Sequence, residues 1–208
     1  MKVVLFGEGN TDVTVGSKDH EGAIGVLLRK ILEAAGNADV TVIGARLPSL
    51  HKMRKTSGYS QKVEGAIAFA NLNRADAVAI VVDRDGDKER LGMLQDGRDA
   101  ARNRVGEPYA ALALRTALGI AVEMLEAWLI ADTRALASLF DVSGAMPDPE
   151  KIANPKERLN ELLDEAGLEV TEAYDMIASE ADLDVIQRRC PAFADFVREV
   201  RAELLKAK

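Results

Sequence analysis

The stretch that most constrains this chain is Val78-Ala79-Ile80-Val81-Val82, which runs directly into Asp83-Arg84-Asp85-Gly86-Asp87. Five consecutive apolar residues, mostly β-branched, fit a strand buried on both faces, as in the interior of a mainly parallel sheet. Three aspartates at alternate positions follow where that strand ends. Open α/β sheets bind ligands beyond the carboxyl ends of their strands, so the placement marks a candidate site. Carboxylates this close repel one another unless a cation sits among them, and a hard, oxygen-preferring ion such as Mg2+ or Mn2+ is the natural partner. By the same repulsion, Asp85→Asn is expected to raise the stability of the metal-free protein. A helix–loop–helix calcium site does not fit: Gly86 falls between the second and third aspartates, and a strand precedes the turn where a helix should. A phosphatase with an aspartate nucleophile also places Asp-x-Asp-Gly after a buried strand, but here the motif lies deep in the chain. For Asp87, just before Lys88-Glu89-Arg90, the competing role is a helix cap.

Residues Lys2 to Phe6 form a second strand candidate, followed by Gly7-Glu8-Gly9-Asn10-Thr11-Asp12. Two glycines around one carboxylate allow a tight turn that pushes Glu8 outward. The loop lacks the third glycine and immediate helix of a dinucleotide fingerprint. Apolar residues at Ile24, Leu27, Leu28, Ile31 and Leu32 predict a helix over 21–35, with Gly36 as its stop. Asp39 to Ala45 is the next strand candidate. A β–α–β run implies parallel pairing, which brings Glu8 and the aspartates to the same end of one sheet.

Between Arg46 and Arg74 there are six Lys/Arg and one acid, Glu64. Lys52, Arg54, Lys55 and Lys62, with His51, Pro48, Gly58 and Tyr59 among them, suit a basic loop that contacts phosphates; a solvated surface loop is the alternative. A helix over 61–73 leads into the central strand, and a polar helix is expected over 89–104. Tyr109 to Leu114 and Leu118 to Val122 are further strand candidates. If Glu123 to Asp132 is helical, Glu123 and Glu126 share a face at i, i+3. Buried carboxylates in so apolar a stretch need a partner: either a salt bridge within the protein, or the site itself, as metal ligands or orienting groups. Trp128 reads as core. Helices are expected from Asn154-Pro155, over 171–181, and from Pro191, where Phe193, Phe196, Val197, Val200 and Leu204 share a face. The Pro147- and Pro149-containing segment 141–153 is the expected hinge between a core, 1–140, and a helical C-terminal extension, 141–208.

The formal charge of -7 is uneven: residues 1–119 hold 17 Lys/Arg against 15 Asp/Glu, and residues 120–208 hold 10 against 19. The acidity argues against promiscuous polyanion binding but leaves room for the local basic patch. A single cysteine, Cys190, and two histidines exclude an intrachain disulfide and a Cys/His metal cluster. Without an apolar targeting core or a membrane-length apolar run, the expected setting is the cytoplasm, with no membrane partner.

In order and spacing these pieces resemble the Toprim domain, the catalytic module of topoisomerases, bacterial primases and overcoming-lysogenization-defect nucleases. That family places a glutamate after its first strand and Asp-x-Asp after a later buried strand; here these are Glu8 and Asp83-Arg84-Asp85. The Glu-Gly-x-Thr-acid form is closest to the nuclease branch. Glu123 to Asp132 and Cys190-Pro191-Ala192-Phe193-Ala194-Asp195-Phe196 are similar to a Toprim-related family known mainly as a domain of unknown function. The Toprim similarity covers roughly residues 1–120. The resemblance implies an α/β fold with a mainly parallel, Rossmann-like sheet flanked by helices. It also implies Asp83 and Asp85 as Mg2+ ligands and Glu8 as general base or acid, or as ligand to a second ion. Asp87 stands where some members carry a third acidic residue, so its role stays open. The chain lacks an attached ATPase and a nucleophilic tyrosine domain, which leaves phosphodiester hydrolysis of DNA or RNA as the simplest chemistry. Some Toprim nucleases act with an ATPase partner against phage, so a partner ATPase or a second copy docking on the helical part is a further expectation. The alternatives are a phosphohydrolase acting on small phosphate compounds and a non-catalytic interaction module.

Overall fold

The structure, a computed structural model, describes residues 1–9, 13, 21–47, 58–123, 125–140, 147–166 and 170–205. Strand β1 (Lys2–Gly7) is followed by helix α1 (Ala23–Ala34), strand β2 (Thr41–Arg46), helix α2 (Tyr59–Leu72) and strand β3 (Ala77–Asp83). Helix α3 (Arg90–Arg102), the single-turn helix α4 (Ala110–Ala113) and strand β4 (Thr116–Ala121) complete a four-stranded, all-parallel sheet in the order β2-β1-β3-β4. The α/β class and the parallel sheet are therefore as expected. From β1 the chain moves outward to β2, then crosses back past β1 to β3. The point where the direction reverses lies between β1 and β3, which is where open sheets of this kind form their binding crevice.

The central strand is apolar on both sides because both sides are covered. Ala77, Ala79 and Val81 join Val3 and Leu5 in a core with α1 and the C-terminal helices. Val78, Ile80 and Val82 join Val4 and Phe6 in a second core under α2 and α3. At roughly 1.5–3 kcal/mol for each fully buried Val, Leu, Ile or Phe, these two layers supply the main driving force for the fold. Helix α1 ends as its Gly36 signal predicts: Gly36 has φ +89°, and Asn37 N donates back to Leu32 O at 3.1 Å. This is the left-handed helix stop that glycine favours.

One strand expectation fails. Residues 110–113 form α4 instead of a strand. Ala-Ala-Leu-Ala has strong helical preference, and a single turn suffices to bring the chain from α3 into the start of β4.

After β4 come α5 (Glu126–Leu129), α6 (Thr133–Phe140), a 3-10 turn at Pro149–Lys151, α7 (Pro155–Ala166), α8 (Val170–Glu180), α9 (Leu183–Arg189) and α10 (Pro191–Leu204). Asn154 opens α7 as its sequence signature predicts, its Oδ1 accepting from Glu157 N at 3.2 Å while its Nδ2 donates to Glu157 Oε2 at 2.9 Å. The five apolar residues predicted for one face of α10 are all buried, in the same core as Val3, Leu5 and Val81. Helix α10 lies along β4, and a Cβ on Gly119 would fall 2.7 Å from the Phe196 ring, so the glycine permits that approach. Part of the expected hinge, residues 141–146, lies outside the described residues. Lys30 of α1 donates to Ser179 O and Ala181 O, both at 2.6 Å, and to Ala178 O at 3.2 Å, docking the end of α8. Burial lowers the pKa of this ammonium, and the acidic neighbours Glu180 and Asp182 oppose that effect.

β4 is an edge strand, and an unpaired edge invites pairing with other chains. Arg115 O accepts from Val78 N of β3 and Ala121 O from Arg84 N just beyond it, so alternation turns the Thr116 carbonyl to the open side. Arg98 of α3 donates to that carbonyl at 3.0 Å and also pairs with Glu199 of α10. Arg102 likewise bridges Ala113 O and Glu203, both at 3.2 Å. Two arginines from one layer thus reach round the edge to helix α10 of the other. Among the described residues, no helix is long and apolar enough to cross a membrane.

Candidate functional site

Glu8 and Asp83 come from strand ends 75 positions apart and meet directly: Glu8 Oε2 accepts from Asp83 N at 3.2 Å. The other carboxylate oxygen of Glu8 accepts from Tyr59 Oη at 2.7 Å, and Arg46 Nη2 donates to the Glu8 carbonyl at 3.2 Å. The Gly7-Glu8-Gly9 turn therefore delivers its carboxylate into the crevice between β1 and β3. Asp83 is oriented from the opposite side, where Leu125 N donates to its Oδ1 at 3.0 Å.

Asp85 sits one turn further out, more than half exposed, in the left-handed region at φ +47°, followed by Gly86 at φ +73°. Two successive residues with positive φ fold the Asp-Gly pair back over the strand end. Its carboxylate is turned to Arg90 rather than to Asp83, with Nη1 donating to Asp85 Oδ2 at 2.8 Å. The same Nη1 also donates to the Asp83 carbonyl, so two of the oxygens meet on one nitrogen. Asp87 is held between the backbone ahead of α3 and Arg90. Its Oδ1 accepts from Glu89 N at 3.0 Å, just ahead of α3, and its Oδ2 stands 3.9 Å from Arg90 Nε. The Arg90 side chain is only 11% exposed and lies over the Tyr59 ring at 4.9 Å.

Sequence reasoning treated the three aspartates as an uncompensated cluster and missed both Arg90 and Tyr59. Arg90 offsets the repulsion that Asp85→Asn was expected to relieve; that substitution removes an ion pair instead. Tyr59 opens α2, and its phenol pKa is raised by burial and by its hydrogen bond to Glu8, so it remains a donor across the usable pH range. Only a tyrosine next to a basic segment hinted at it in the sequence.

Glu123 and Glu126 do not share a helix face. Glu123 precedes α5 in the left-handed region at φ +61° and pairs with Arg84 at 3.1 Å, while Glu126 is buried and accepts from Tyr174 Oη at 2.9 Å. The chain must reverse after β4 to present Leu125 N to Asp83, and that reversal breaks the i, i+3 relation. Glu123 stays beside the aspartate turn through Arg84; Glu126 belongs to the packing of α5 against α8. Asp132, also buried, caps α6 and accepts from Asp182 N at 2.9 Å.

Of the phosphate-contact candidates, Lys62 is described, with its Nζ 4.6 Å from the Tyr59 ring centroid. Tyr59 is thereby in contact with two cations. Lys52, Arg54 and Lys55 lie outside the described residues. Cys190 is buried, and burial pushes its thiol up to about 12.

Carboxylates and a backbone carbonyl make an all-oxygen donor set, which suits a hard divalent ion. Among the described residues, no three carboxylate, imidazole or thiol side chains converge on one point as they stand. One cation, the Arg90 guanidinium, already sits among the Asp83 carbonyl, Asp85 Oδ2 and Asp87 Oδ2.

No curated protein and no solved structure matches the chain. A family model matches residues 19–201, a span that holds the Asp83–Asp87 turn, Arg90 and the described helices from α1 into α10, and leaves out β1 with Glu8. On that match the chain belongs to the family described as Domain of unknown function (DUF4276).

Proposed function

We propose that this protein is a divalent-metal-dependent phosphodiester hydrolase, a nuclease with a Toprim-like core, working at Glu8, Asp83 and Asp85. The observation that carries the reading is the Glu8–Asp83 contact at the point where the sheet order reverses. The Glu8 carboxylate accepts from the Asp83 backbone N–H, which sets both acidic side chains at one strand-end crevice, where open α/β sheets handle their ligands. Asp83 and Asp85 would hold Mg2+ or Mn2+, with Asp87 beside them. When bound, the ion supplies charge neutralisation at the scissile phosphate and makes water more acidic. Glu8, held by Tyr59 and Asp83 N, is oriented to take a proton from attacking water. Lys62, against the Tyr59 ring, and Arg46, on the Glu8 carbonyl, would hold the phosphate backbone without reading base sequence. The resemblance to the nuclease branch extends the reading to phage defence in the cytoplasm, with a partner ATPase or a second copy docking on the helical part.

The test is incubation of the protein with mixed DNA and tRNA in Mn2+ or Mg2+, beside Asp83→Asn. That variant is isosteric and keeps an acceptor for Leu125 N, so it should fold. Loss of a supporting group at a metal site costs tenfold to a hundredfold, so loss of a direct ligand should lower cleavage by on the order of a hundredfold or more. Mn2+ should raise the Tm of the native protein and leave that of Asp83→Asn unchanged. Phosphate release from small esters with intact polynucleotide would replace the nuclease reading by that of a phosphohydrolase. An unchanged Tm together with no turnover of either substrate would leave an interaction module.

A further inference from the structure

Arg90 has more contacts than a helix-opening surface residue needs. Its Nη1 bonds the Asp83 carbonyl and Asp85 Oδ2, its Nε lies 3.9 Å from Asp87 Oδ2, and its guanidinium covers the Tyr59 ring, whose hydroxyl holds Glu8. That Nε is buried without a hydrogen-bond partner of its own among the described residues. One monovalent, side-chain cation thus touches, directly or through Tyr59, all four acidic residues of the site. It is set at the start of α3, with its side chain nearly enclosed while Asp85 is open to solvent.

We infer that Arg90 is an internal counter-ion that competes with the divalent metal for Asp85 and the Asp83 carbonyl, so that metal binding and release of Arg90 are one event. The inference rests on the metal-site reading above. An incoming ion has to reach oxygens that a guanidinium already holds. Either Asp85 turns away from Arg90 or the guanidinium leaves, and both break the 2.8 Å pair. A site without metal is thereby kept neutralised and folded, and the affinity for metal is lowered by the free energy of that pair. Tyr59 carries the effect to Glu8, because the ring that orients Glu8 is the ring the guanidinium covers.

The experiment is calorimetric titration of Mn2+ into the native protein, Arg90→Gln and Arg90→Lys, with the Tm of each measured in the absence and presence of Mn2+. Arg90→Gln removes the competitor, so its Kd for Mn2+ should fall about tenfold, its metal-free Tm should drop, and its Mn2+-induced rise in Tm should exceed that of the native protein. Arg90→Lys keeps the charge but loses the planar fork, so its Kd should fall about twofold to threefold. A purely structural arginine would lower the metal-free Tm without tightening metal binding. Native binding with an Arg90→Gln Kd equal to or above the native value overturns the competition and leaves the metal site intact. Should Arg90→Gln fail to fold, an Arg90→Lys Kd no lower than native does the same. Absence of Mn2+ binding in all three proteins overturns both this inference and the metal-dependent reading.

Discussion

Replacing Trp128 by alanine is expected to destabilise the protein by about 4 kcal/mol, the range for a buried aromatic cut back to a methyl group. Trp128 is fully buried in α5, with its ring 5.0 Å from that of Phe193 in an edge arrangement and 5.9 Å from that of Phe196 in a stacked one. It is therefore the side chain through which the segment after β4 grips α10. For a chain of this length, 1 kcal/mol corresponds to roughly 2–4 °C, so Tm should fall by on the order of 10 °C. The damage should reach the site. Trp128 N donates to Leu125 O at 2.8 Å, and Leu125 N is the group that orients Asp83, so Mn2+ affinity should weaken as well. Trp128→Phe keeps an aromatic face in the cluster and loses an indole N–H that has no partner among the described residues, so it should cost less than half as much. Equilibrium denaturation of both variants decides the matter. An alanine variant within about 1 kcal/mol of native would remove Trp128 from its anchoring role.

The second large effect is expected at Gly97, and its sign is opposite to what helix preference alone would give. In a helix interior, alanine is favoured over glycine by roughly 1 kcal/mol. At Gly97 of α3, however, a Cβ would lie 2.7 Å from Ser60 Cα and 2.9 Å from Ser60 C, backbone atoms that cannot rotate away. Ser60 is further tied to α3 by its Oγ, which donates to Met93 O at 2.8 Å. Overpacking of this kind costs about 1–3 kcal/mol and more where backbone must move, so Gly97→Ala should be destabilising by about 2 kcal/mol net. Gly92 lies in the same helix, and a Cβ there meets nothing within 4 Å. Gly92→Ala should therefore stabilise by up to about 1 kcal/mol. The two substitutions, measured side by side by chemical denaturation, separate close packing from intrinsic preference. If both are stabilising, α2 and α3 do not approach as closely as described. Because Ser60 adjoins Tyr59, Gly97→Ala should also loosen the Tyr59–Glu8 bond.

Much of the fold was legible because its signals are local. The five-residue apolar run of β3, the i, i+3, i+4 spacing of α1, the Gly36 stop and the Asn154-Pro155 start each act over a few residues, and each sits where its pattern puts it. Where a local signal was weak, tertiary context won. Ala-rich 110–113 is too short for its helical preference to stand out and forms a single turn, and Glu123 left its expected helix because the chain has to turn back toward Asp83. The candidate site shows the same division. The acidic residues could be picked out and assigned to strand ends, but the groups that neutralise them could not. Arg90 looks like any basic residue opening a helix, and Tyr59 like any aromatic beside a basic loop.

What the sequence by itself determined is an α/β chain with a buried central strand that ends in carboxylates, because burial on two faces and repulsion between like charges are properties of neighbouring residues. Only the tertiary structure decided the strand order β2-β1-β3-β4, the seating of α10 on β4 and the meeting of Glu8 with Asp83 under Tyr59 and Arg90. Those depend on which distant surfaces fit together, and fit between surfaces is not written in any single stretch of the chain.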